Sequence, residues 1–363
     1  MIDEGTNSVH DFLVRSFHLL ENVQQQAEKQ CGVRERHLEL GGRVVHLRTA
    51  GEALSNALLP ALSHLPAVED RDMVDLEIRA WDESESGIPA PAFPWQWARI
   101  EGTVRLVLPA GGEAFRIHAY EDGVMFFIYS LEARRAIFWT RDVRLVPTFF
   151  RAAPFLMLMH WWARESGLQL VHAGCVGTEQ GVALIAGKGG SGKSTTSLLC
   201  TLAGMDYLSD DFCLVQAKPQ REVISLYSSG KLHREHFARL PALAALALDP
   251  VPDAFDKPLI FMRDHFPQQV KPRAALRAVI VPQVAGTEHT HWEPLPVSVA
   301  LRALTSSTMF QFSPDDGTAF RTMADVLRGL RCYRLYLGTQ LEEIPVAVRA
   351  IIAEATKDSP AAV

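Results

Sequence analysis

The hydrophobic and polar positions of the first 145 residues predict one long helix followed mainly by strands. Apolar residues recur at helical spacing between Val9 and Lys29, which predicts an amphipathic helix. Two alternating segments joined by Gly41-Gly42 predict a hairpin, because a glycine pair allows the positive φ angles of a tight turn. The predicted elements after the first helix are strands Arg36–Leu40 and Arg43–Thr49, helix Glu52–Leu62, and strands Thr103–Leu108, Ala114–Tyr120, Val124–Ser130 and Ala136–Thr140. We therefore expect a small α+β domain over residues 1–145, whose role the pattern leaves open.

Helices and strands alternate from about residue 147 onward, which is typical of an α/β domain. A predicted helix, Pro147–Ser166, precedes two predicted strands, Leu168–Val176 and Val182–Ala186, and a further helix follows them. Later strands are predicted at Tyr207–Leu208, Phe212–Val215, Val223–Leu226, Leu259–Met262, Val279–Val284 and Tyr333–Leu337. Later helices are predicted at Lys231–Arg239, Val297–Thr305, Thr318–Leu330 and Ile344–Ala355. We expect these elements to form one domain over residues 146–363.

One glycine-rich segment of this second domain matches a phosphate-binding pattern. Residues 182–200 read VALIAGKGGSGKSTTSLLC, and they contain the complete pattern G-x-x-x-x-G-K-[ST]. Gly187 opens the pattern, and Gly192, Lys193 and Ser194 complete it. An aliphatic strand precedes it and an apolar helix follows it, which is the context in which this pattern binds nucleotides. A glycine-rich turn that matches by chance is the alternative, and this context disfavours it.

The residue types in the segment suit a bound polyphosphate. Glycines let the backbone curl so that several N–H groups converge on one anion, and the start of the helix adds a positive dipole end. Lys193 would place its charge on the β- and γ-phosphates, and Ser194 would offer a hydroxyl to Mg²⁺. Thr195 would cap the first turn or contact the α-phosphate. We therefore expect ATP and Mg²⁺ as cofactors, bound by Gly187, Lys188, Gly189, Gly190, Ser191, Gly192, Lys193, Ser194 and Thr195.

Two acids and one histidine are further candidates for the chemistry. Asp210 and Asp211 follow a short apolar run, where a sheet strand would end beside the glycine-rich segment. Mg²⁺ needs a hard oxygen ligand, and a hydroxyl nucleophile needs a carboxylate to take its proton. Adjacent acids allow one residue for each task, and a solvated turn is the alternative. His172 lies on the predicted strand Leu168–Val176, which comes just before the strand that leads into the glycine-rich segment. A structural role for this histidine is the alternative.

These three elements together resemble the catalytic domain of HPr kinase/phosphorylase and the HPr-kinase-related proteins. His172 lies 21 residues before Lys193, and Asp211 lies 18 residues after it, which is similar to the spacing in that family. The resemblance implies a P-loop kinase fold in which Asp211 is the catalytic base, His172 supports it and Lys193 contacts the transferred phosphoryl group. It also implies that Asp210 and Ser194 lie at the metal, and that identical chains assemble into an oligomer. The strongest match spans about residues 168–216, and the tail resembles relatives that phosphorylate serine on peptides.

Charge and composition exclude several other classes of protein. The net charge of −6 disfavours a nucleic-acid partner, because binding to a phosphate backbone normally needs a basic face. Five scattered cysteines favour the reduced thiols of the cytosol over a disulfide framework. The apolar stretch Phe149–Trp162 contains Arg151 and Pro154 and is too short to span a bilayer. Because the N-terminus also lacks a signal segment, we expect a cytoplasmic protein with no membrane partner.

The leading hypothesis is an α/β P-loop kinase domain of the HPr kinase type with a smaller α+β domain before it. It would transfer the γ-phosphoryl group of ATP to a hydroxyl, with serine expected, on a peptide, a protein or a small molecule. One alternative is a P-loop NTPase or nucleotide-gated binding module, in which Asp211 orients water. Another is a scaffold with a degenerate site. Two weaker candidates are Lys231 and Thr305–Thr308. Lys231 could reach ATP or an acceptor, but a solvated position at a helix start is favoured. Thr305–Thr308 could line an acceptor pocket, but capping a helix is favoured.

Overall fold

The chain forms two compact units, which are described separately. The computed structural model describes residues 6–69, 74–91, 99–101, 105–107, 112–120, 123–234, 239–248, 257–312 and 317–357. The first unit contains Met1–Leu59 and Pro66–Arg151, and the second contains Pro60–Leu65 and Ala152–Val363. The sequence pattern places the change of domain at residue 145.

Strands outnumber helices in the described part of the first unit. Its elements are α1 (Thr6–Cys31), β1 (Val33–Leu40), β2 (Arg43–Ala50), α2 (Ala53–Leu58), β3 (Leu76–Asp82), α3 (Glu83–Ser86), β4 (Arg99–Glu101), β5 (Arg105–Val107), β6 (Phe115–Ala119), β7 (Met125–Ser130) and β8 (Arg135–Thr140). The strands form one sheet in the order β1-β2-β3-β8-β7-β6-β5-β4. The pairs β2–β3 and β3–β8 are parallel, and the other pairs are antiparallel.

Helix α1 covers one face of this sheet. Leu13, Phe17 and Leu20 lie on one side of the helix and share a core with the sheet residues Trp81 and Ile137. This is the side that the helical spacing of apolar residues predicts.

The sequence pattern does not predict strand β3, because Glu77, Arg79 and Asp82 interrupt its apolar residues. In the fold, arginine side chains balance the negative charge of Glu77. Glu77 accepts a hydrogen bond from Arg79 at 2.9 Å and a second one from Arg135 on the neighbouring strand. The pairing across strands therefore stabilises a segment whose own sequence gives a weak strand signal.

The second unit is a mixed α/β structure. Its elements are α5 (Leu156–Glu165), β9 (Gln169–Thr178), β10 (Gly181–Ala186), α6 (Lys193–Leu202), β11 (Asp206–Ser209), β12 (Phe212–Gln216), β13 (Glu222–Ser225), β14 (Ser229–Lys231), α7 (Pro241–Ala244), β15 (Leu259–Phe261), α8 (Met262–His265), β16 (Arg273–Val284), β17 (His291–Pro294), α9 (Val297–Gln311), α10 (Thr318–Leu327), β18 (Arg331–Leu337) and α11 (Glu343–Lys357), after α4 (Thr148–Ala152) at the border. The α/β architecture predicted for this half of the chain is confirmed.

The main sheet of the second unit closes on itself around β10. This strand pairs antiparallel with β9 and parallel with β16, and the ring continues from β9 through β12 and β13 back to β16. Strands β18 and β17 extend it beyond β16. Residues of β10 alternate between two cores: Ala183 and Ile185 face one, and Val182, Leu184 and Ala186 face the other.

Helices cover both cores of this sheet. Helices α6 and α11 contribute Leu198 and Ile351 to the first core, and helices α9 and α10 contribute Leu304 and Met323 to the second. Strand β10 is buried on both faces, which explains its continuous apolar run. The buried strand therefore fixes the position of the start of the glycine-rich segment that follows it.

Two helix predictions are wrong in detail. The predicted helix Pro147–Ser166 is two helices, because Phe155 after Pro154 adopts a left-handed conformation with φ of 59°. Lys231 ends a strand instead of starting a helix, since Ser229–Lys231 pairs with Leu259–Phe261. Residues 235–238 of the predicted helix Lys231–Arg239 lie outside the described residues.

Candidate functional site

The glycine loop, defined as residues 187–192, connects β10 to α6. Gly190 and Gly192 have φ angles of 76° and 99°, a region that residues with a side chain rarely adopt. A Cβ atom on Gly192 would also lie 2.3 Å from Cδ1 of Leu337. The backbone therefore requires glycine here for both its conformation and its packing against the end of β18.

Unpaired amide groups point out of the first turn of α6. Among the described residues, the backbone N–H groups of Lys193, Ser194 and Thr195 have no carbonyl partner, as expected at a helix start. The hydroxyl of Ser191 is also buried without a partner in this part of the chain. Lys188, Gly189 and Gly190 are exposed. The loop thus offers several donors to an anion arriving from solvent.

The side chain of Lys193 folds back onto the glycine loop. Its Nζ donates to the carbonyl of Gly187 at 2.7 Å and to the carbonyl of Lys188 at 3.3 Å. Burial lowers the pKa of this ammonium group, and the charges of Asp211 and Asp210 partly oppose that shift. The two acids therefore act on Lys193 electrostatically, although they lie on a different loop.

Asp210 directly follows β11, and the residue is 1% exposed. Its Oδ2 accepts the backbone N–H of Lys231 at 2.9 Å, whereas Oδ1 has no hydrogen-bond partner among the described residues. Burial and the charge of Asp211 raise its pKa to about 6, and the Ser194 hydroxyl lies close enough to oppose that shift weakly. A buried carboxylate with one unpaired oxygen is costly unless a ligand completes its contacts.

Both oxygens of Asp211 are held by cationic or ring-nitrogen partners. Oδ1 lies 2.7 Å from Nε2 of His172, and Oδ2 lies 2.8 Å from Nζ of Lys231. The backbone N–H of Asp211 donates to the Ser209 hydroxyl at 3.1 Å, which fixes the turn. Burial favours protonation, but Lys231 and His172 outweigh it and hold the pKa of Asp211 far below its usual range. The two partners therefore favour the ionised form of Asp211.

His172 is fixed by helix α9 and by an aromatic ring. Its Nδ1 lies 2.8 Å from the hydroxyl of Ser307, and its backbone N–H donates to the Thr308 hydroxyl at 3.1 Å. Its ring stacks on Phe212 with ring centroids 5.0 Å apart. Strand β9 pairs with β10, β11 and β12, so it joins the element before the glycine loop to the elements beside the acids.

Close packing of strand β9 against α6 fixes the glycine loop relative to the acids. A Cβ atom on Gly174 would lie 2.4 Å from the hydroxyl of Ser197 on α6 and 3.4 Å from the carbonyl of Asp210. The glycine two residues after His172 therefore lets the helix approach the strand. Local sequence explains this contact, because only glycine leaves the required space.

The fold brings His172, Lys193 and both acids to one region, together with three residues for which the sequence favours another role. For Lys231 the sequence favours a solvated helix start over contact with ATP or an acceptor. For Ser307 and Thr308 it favours a helix cap over an acceptor pocket. In the structure, Lys231 pairs with Asp211, and both hydroxyl residues lie inside α9 (Val297–Gln311). No local pattern reveals these contacts, since each joins segments far apart in the chain.

Comparisons with known proteins include a distant structural similarity. No protein-family model matches the chain, and no curated protein matches its sequence. The solved structure of the HPr(Ser) kinase/phosphatase from Coxiella burnetii is similar over 51% of this chain and 97% of that chain, with 14% identity and a TM-score of 0.28. Similarity at this level assigns no role to any residue. In the described parts of the chain, no helix is long and apolar enough to cross a membrane.

A small cleft opens beside the Asp211–Lys231 pair. Its walls include Ala152, Phe212 and Tyr227. The wall hydroxyls are already used, since Tyr227 donates to the carbonyl of Pro154 at 2.8 Å and Ser229 donates to the carbonyl of Ala152. The Asp211–Lys231 pair is therefore the charged part of the lining, and the hydroxyls of Tyr227 and Ser229 are engaged elsewhere.

The oxygen atoms near the glycine loop suit a Mg²⁺ ion shared between protein and substrate phosphates better than a metal ion bound by protein side chains alone. Among the described residues, no group of three or more His, Cys, Asp or Glu side chains forms a metal cage. Mg²⁺ usually binds one or two protein oxygens together with water and substrate phosphates. The unpaired Oδ1 of Asp210 and the Ser194 hydroxyl fit that requirement.

Proposed function

We propose that the chain is an ATP- and Mg²⁺-dependent kinase that transfers the γ-phosphoryl group to a hydroxyl. The expected acceptor is serine in a peptide or protein, or the hydroxyl of a small molecule. One observation carries the proposal: the carboxylate of Asp211, whose charge acts on Lys193 of the glycine loop, lies 2.7 Å from Nε2 of His172 and 2.8 Å from Nζ of Lys231. Phosphoryl transfer needs those two parts, a cradle for the phosphates and a carboxylate for the incoming hydroxyl.

The glycine loop would bind the triphosphate through the amide groups of the first turn of α6. Lys193 would exchange the carbonyl of Gly187, at 2.7 Å, for phosphate oxygens. Ser194 and Asp210 would hold Mg²⁺, which neutralises charge on the β- and γ-phosphates when bound. The unpaired Oδ1 of Asp210 supports this assignment.

Asp211 would orient the acceptor hydroxyl and receive its proton. Each carboxylate oxygen has two lone pairs, so Oδ2 can accept from the hydroxyl while Lys231 stays in contact. The acceptor oxygen forms a bond to the γ-phosphorus, the bond from that phosphorus to the ADP oxygen breaks, and the hydroxyl proton moves to Asp211. A strongly ionised carboxylate is a weak base, which is compatible with a loose transition state that needs little early proton removal.

Transfer of radiolabelled γ-phosphate tests the proposal. The purified chain would be incubated with labelled ATP, Mg²⁺ and an array of synthetic peptides in which serine, threonine or tyrosine is the single hydroxyl residue. We expect label in serine peptides with the wild type and at least a hundredfold less with Asp211→Asn. Release of free phosphate alone, with no labelled acceptor, would favour the NTPase alternative.

Light scattering of the same sample would test the expected homo-oligomer.

A further inference from the structure

Two hydroxyl side chains of helix α9 hold the histidine that contacts Asp211. The hydroxyl of Ser307 lies 2.8 Å from Nδ1 of His172, and the hydroxyl of Thr308 accepts the backbone N–H of His172 at 3.1 Å. Ser307 is 8% exposed and Thr308 is 2% exposed. The contacts are therefore buried and link one turn of α9 to strand β9.

The partner of Nε2 decides which nitrogen of His172 carries the proton. Asp211 is a carboxylate paired with the Lys231 ammonium at 2.8 Å, so its Oδ1 can only accept a hydrogen bond. Nε2 of His172, 2.7 Å away, must then be the donor. In a neutral ring Nδ1 is left with a lone pair, and it needs a donor of its own.

Ser307 supplies that donor. Among the described residues, the other group near Nδ1 is the carbonyl of Ser307 at 3.3 Å, which cannot donate a hydrogen bond. The Ser307 hydroxyl also lies 3.3 Å from the carbonyl of His172, but the shorter contact is the one to Nδ1. Without the hydroxyl, the ring would gain a partner at Nδ1 only by moving its proton there and donating to the carbonyl of residue 307.

We propose that Ser307 is a positioning residue whose hydroxyl donates to Nδ1 of His172 and fixes the tautomer in which Nε2–H donates to Asp211. Its effect on rate rests on the proposed kinase function, whereas its effect on the histidine ring does not. When the proton moves to Nδ1, the lone pair of Nε2 faces the carboxylate of Asp211. Asp211 then loses the hydrogen bond from His172, which is one of the two contacts that orient its carboxylate.

Nitrogen-15 NMR of the nucleotide-free protein tests the tautomer directly. Two-bond correlations of labelled histidine separate rings protonated at Nε2 from rings protonated at Nδ1, and His172→Gln identifies the signal. We expect Nε2–H in the wild type and protonation at Nδ1 in Ser307→Ala. A wild-type ring with a proton on Nδ1, or an unchanged ring in Ser307→Ala, overturns the proposal. If Ser307→Ala does not fold, the wild-type spectrum and that of Ser307→Thr, which keeps the hydroxyl, still decide it.

Turnover of labelled ATP gives the second readout. We expect Ser307→Ala to lower kcat by roughly tenfold to a hundredfold, as for other residues that orient a functional side chain, with an unchanged KM for ATP. Ser307→Thr should restore most of kcat. Ser306→Ala, a change at the exposed neighbouring position on the same helix, should have no effect. An unchanged kcat in Ser307→Ala, or an equal loss in Ser306→Ala, overturns the proposal. If the wild type transfers no phosphate at all, the kinase function fails and the NMR result alone decides the role of Ser307.

Discussion

The ammonium group of Lys231 lies 2.8 Å from Oδ2 of Asp211, and the backbone N–H of the same residue donates to Oδ2 of Asp210 at 2.9 Å. One residue at the end of strand β14 therefore contacts both acids of the candidate site. The side chain of Lys231 is 16% exposed, so its charge is only weakly screened by solvent. Together with Lys193, it balances the two carboxylates before any ligand binds.

Replacement of Lys231 should lower turnover more than it lowers nucleotide binding. In Lys231→Met, Asp211 keeps its contact with His172 but loses the cation that fixes Oδ2. The orientation of its carboxylate toward the acceptor hydroxyl is then less well defined. We expect kcat for ATP turnover to fall roughly tenfold to a hundredfold, and Lys231→Arg to retain part of the activity. Steady-state kinetics measure kcat and the KM for ATP.

The matched control for this change is Lys271→Met. Lys271 makes a 3.7 Å pair with Asp206, and its side chain is 43% exposed, so its loss should leave turnover unchanged. Equal kinetic constants for the wild type and Lys231→Met would remove Lys231 from the site.

Replacement of Lys193 should remove most of the thermal stabilisation that ATP provides. A ligand present at about 100 times its Kd adds about 2.7 kcal/mol to the free energy of unfolding. Lys193→Met removes the charge that meets the phosphates and should lose most of this shift. Differential scanning fluorimetry with and without ATP measures it, with Lys218→Met at an exposed position as the control. A full ATP shift in Lys193→Met would mean that the nucleotide binds elsewhere.

The candidate residues that the sequence does predict lie in short contiguous segments. The glycine loop and Asp210-Asp211 are recognisable because the required backbone conformation or charge is encoded by neighbouring residues. The strands around them were also predicted, since β10 is a continuous apolar run that is buried on both faces. Local physics is sufficient for these parts of the second unit.

Contacts between distant segments could not be predicted in the same way. Lys231 meets Asp211 because β14 pairs with β15, and the sequence around Lys231 resembles a helix start. Ser307 meets His172 because α9 packs on β9 over a separation of 135 residues. Strand β3 was missed for a related reason, since its charges are balanced by a residue of another strand, Arg135.

Gly174 should be intolerant of a methyl group because helix α6 approaches its strand closely. The Cβ atom of alanine would lie 2.4 Å from the Ser197 hydroxyl, so Gly174→Ala should lower the free energy of unfolding by about 1–3 kcal/mol. That hydroxyl has no partner among the described residues, so Ser197→Ala alone should be nearly neutral. The double variant should recover part of the loss. Urea denaturation of all four proteins measures this coupling, and strictly additive effects would contradict the contact.

Asp210 should decrease the stability of the nucleotide-free protein. Burial and Asp211 raise its pKa from 3.8 to about 6, a difference of about 2 units, so keeping it ionised at pH 7.5 costs up to about 3 kcal/mol. Asp210→Asn keeps an acceptor for the backbone of Lys231 and removes the buried charge. We expect a higher Tm without ligand and no additional stabilisation when Mg²⁺ is added with ADP.

Asp206→Asn is the control for this change. Asp206 begins β11, the strand that Asp210 follows, and its side chain is 23% exposed beside Lys271. It should keep the additional stabilisation by Mg²⁺. A lower Tm for Asp210→Asn without ligand would show that the carboxylate stabilises the fold instead.

His64 should make the second unit less stable in acid. Its Nε2 lies 2.9 Å from the hydroxyl of Ser225, which itself donates to the carbonyl of Leu208 at 2.6 Å, so the neutral ring donates and is satisfied at that nitrogen. Burial lowers the pKa of His64 from 6.5 to about 4. Between these values the unfolded chain binds a proton that the folded chain does not, so stability is complete above pH 6.5 and falls as the pH drops toward 4.

Over the interval from pH 7.5 to pH 5, this difference amounts to about 1.5 units, or about 2 kcal/mol. His64→Gln can still donate to Ser225 but cannot titrate, so its free energy of unfolding should fall by about 2 kcal/mol less than that of the wild type over the same interval. Urea denaturation at both pH values measures the difference between the two proteins, in which the contributions of other titrating groups cancel. Parallel losses of stability in the two proteins would show that folding does not lower the pKa of His64, because a group with equal pKa values in the folded and unfolded states adds nothing to the pH dependence of stability.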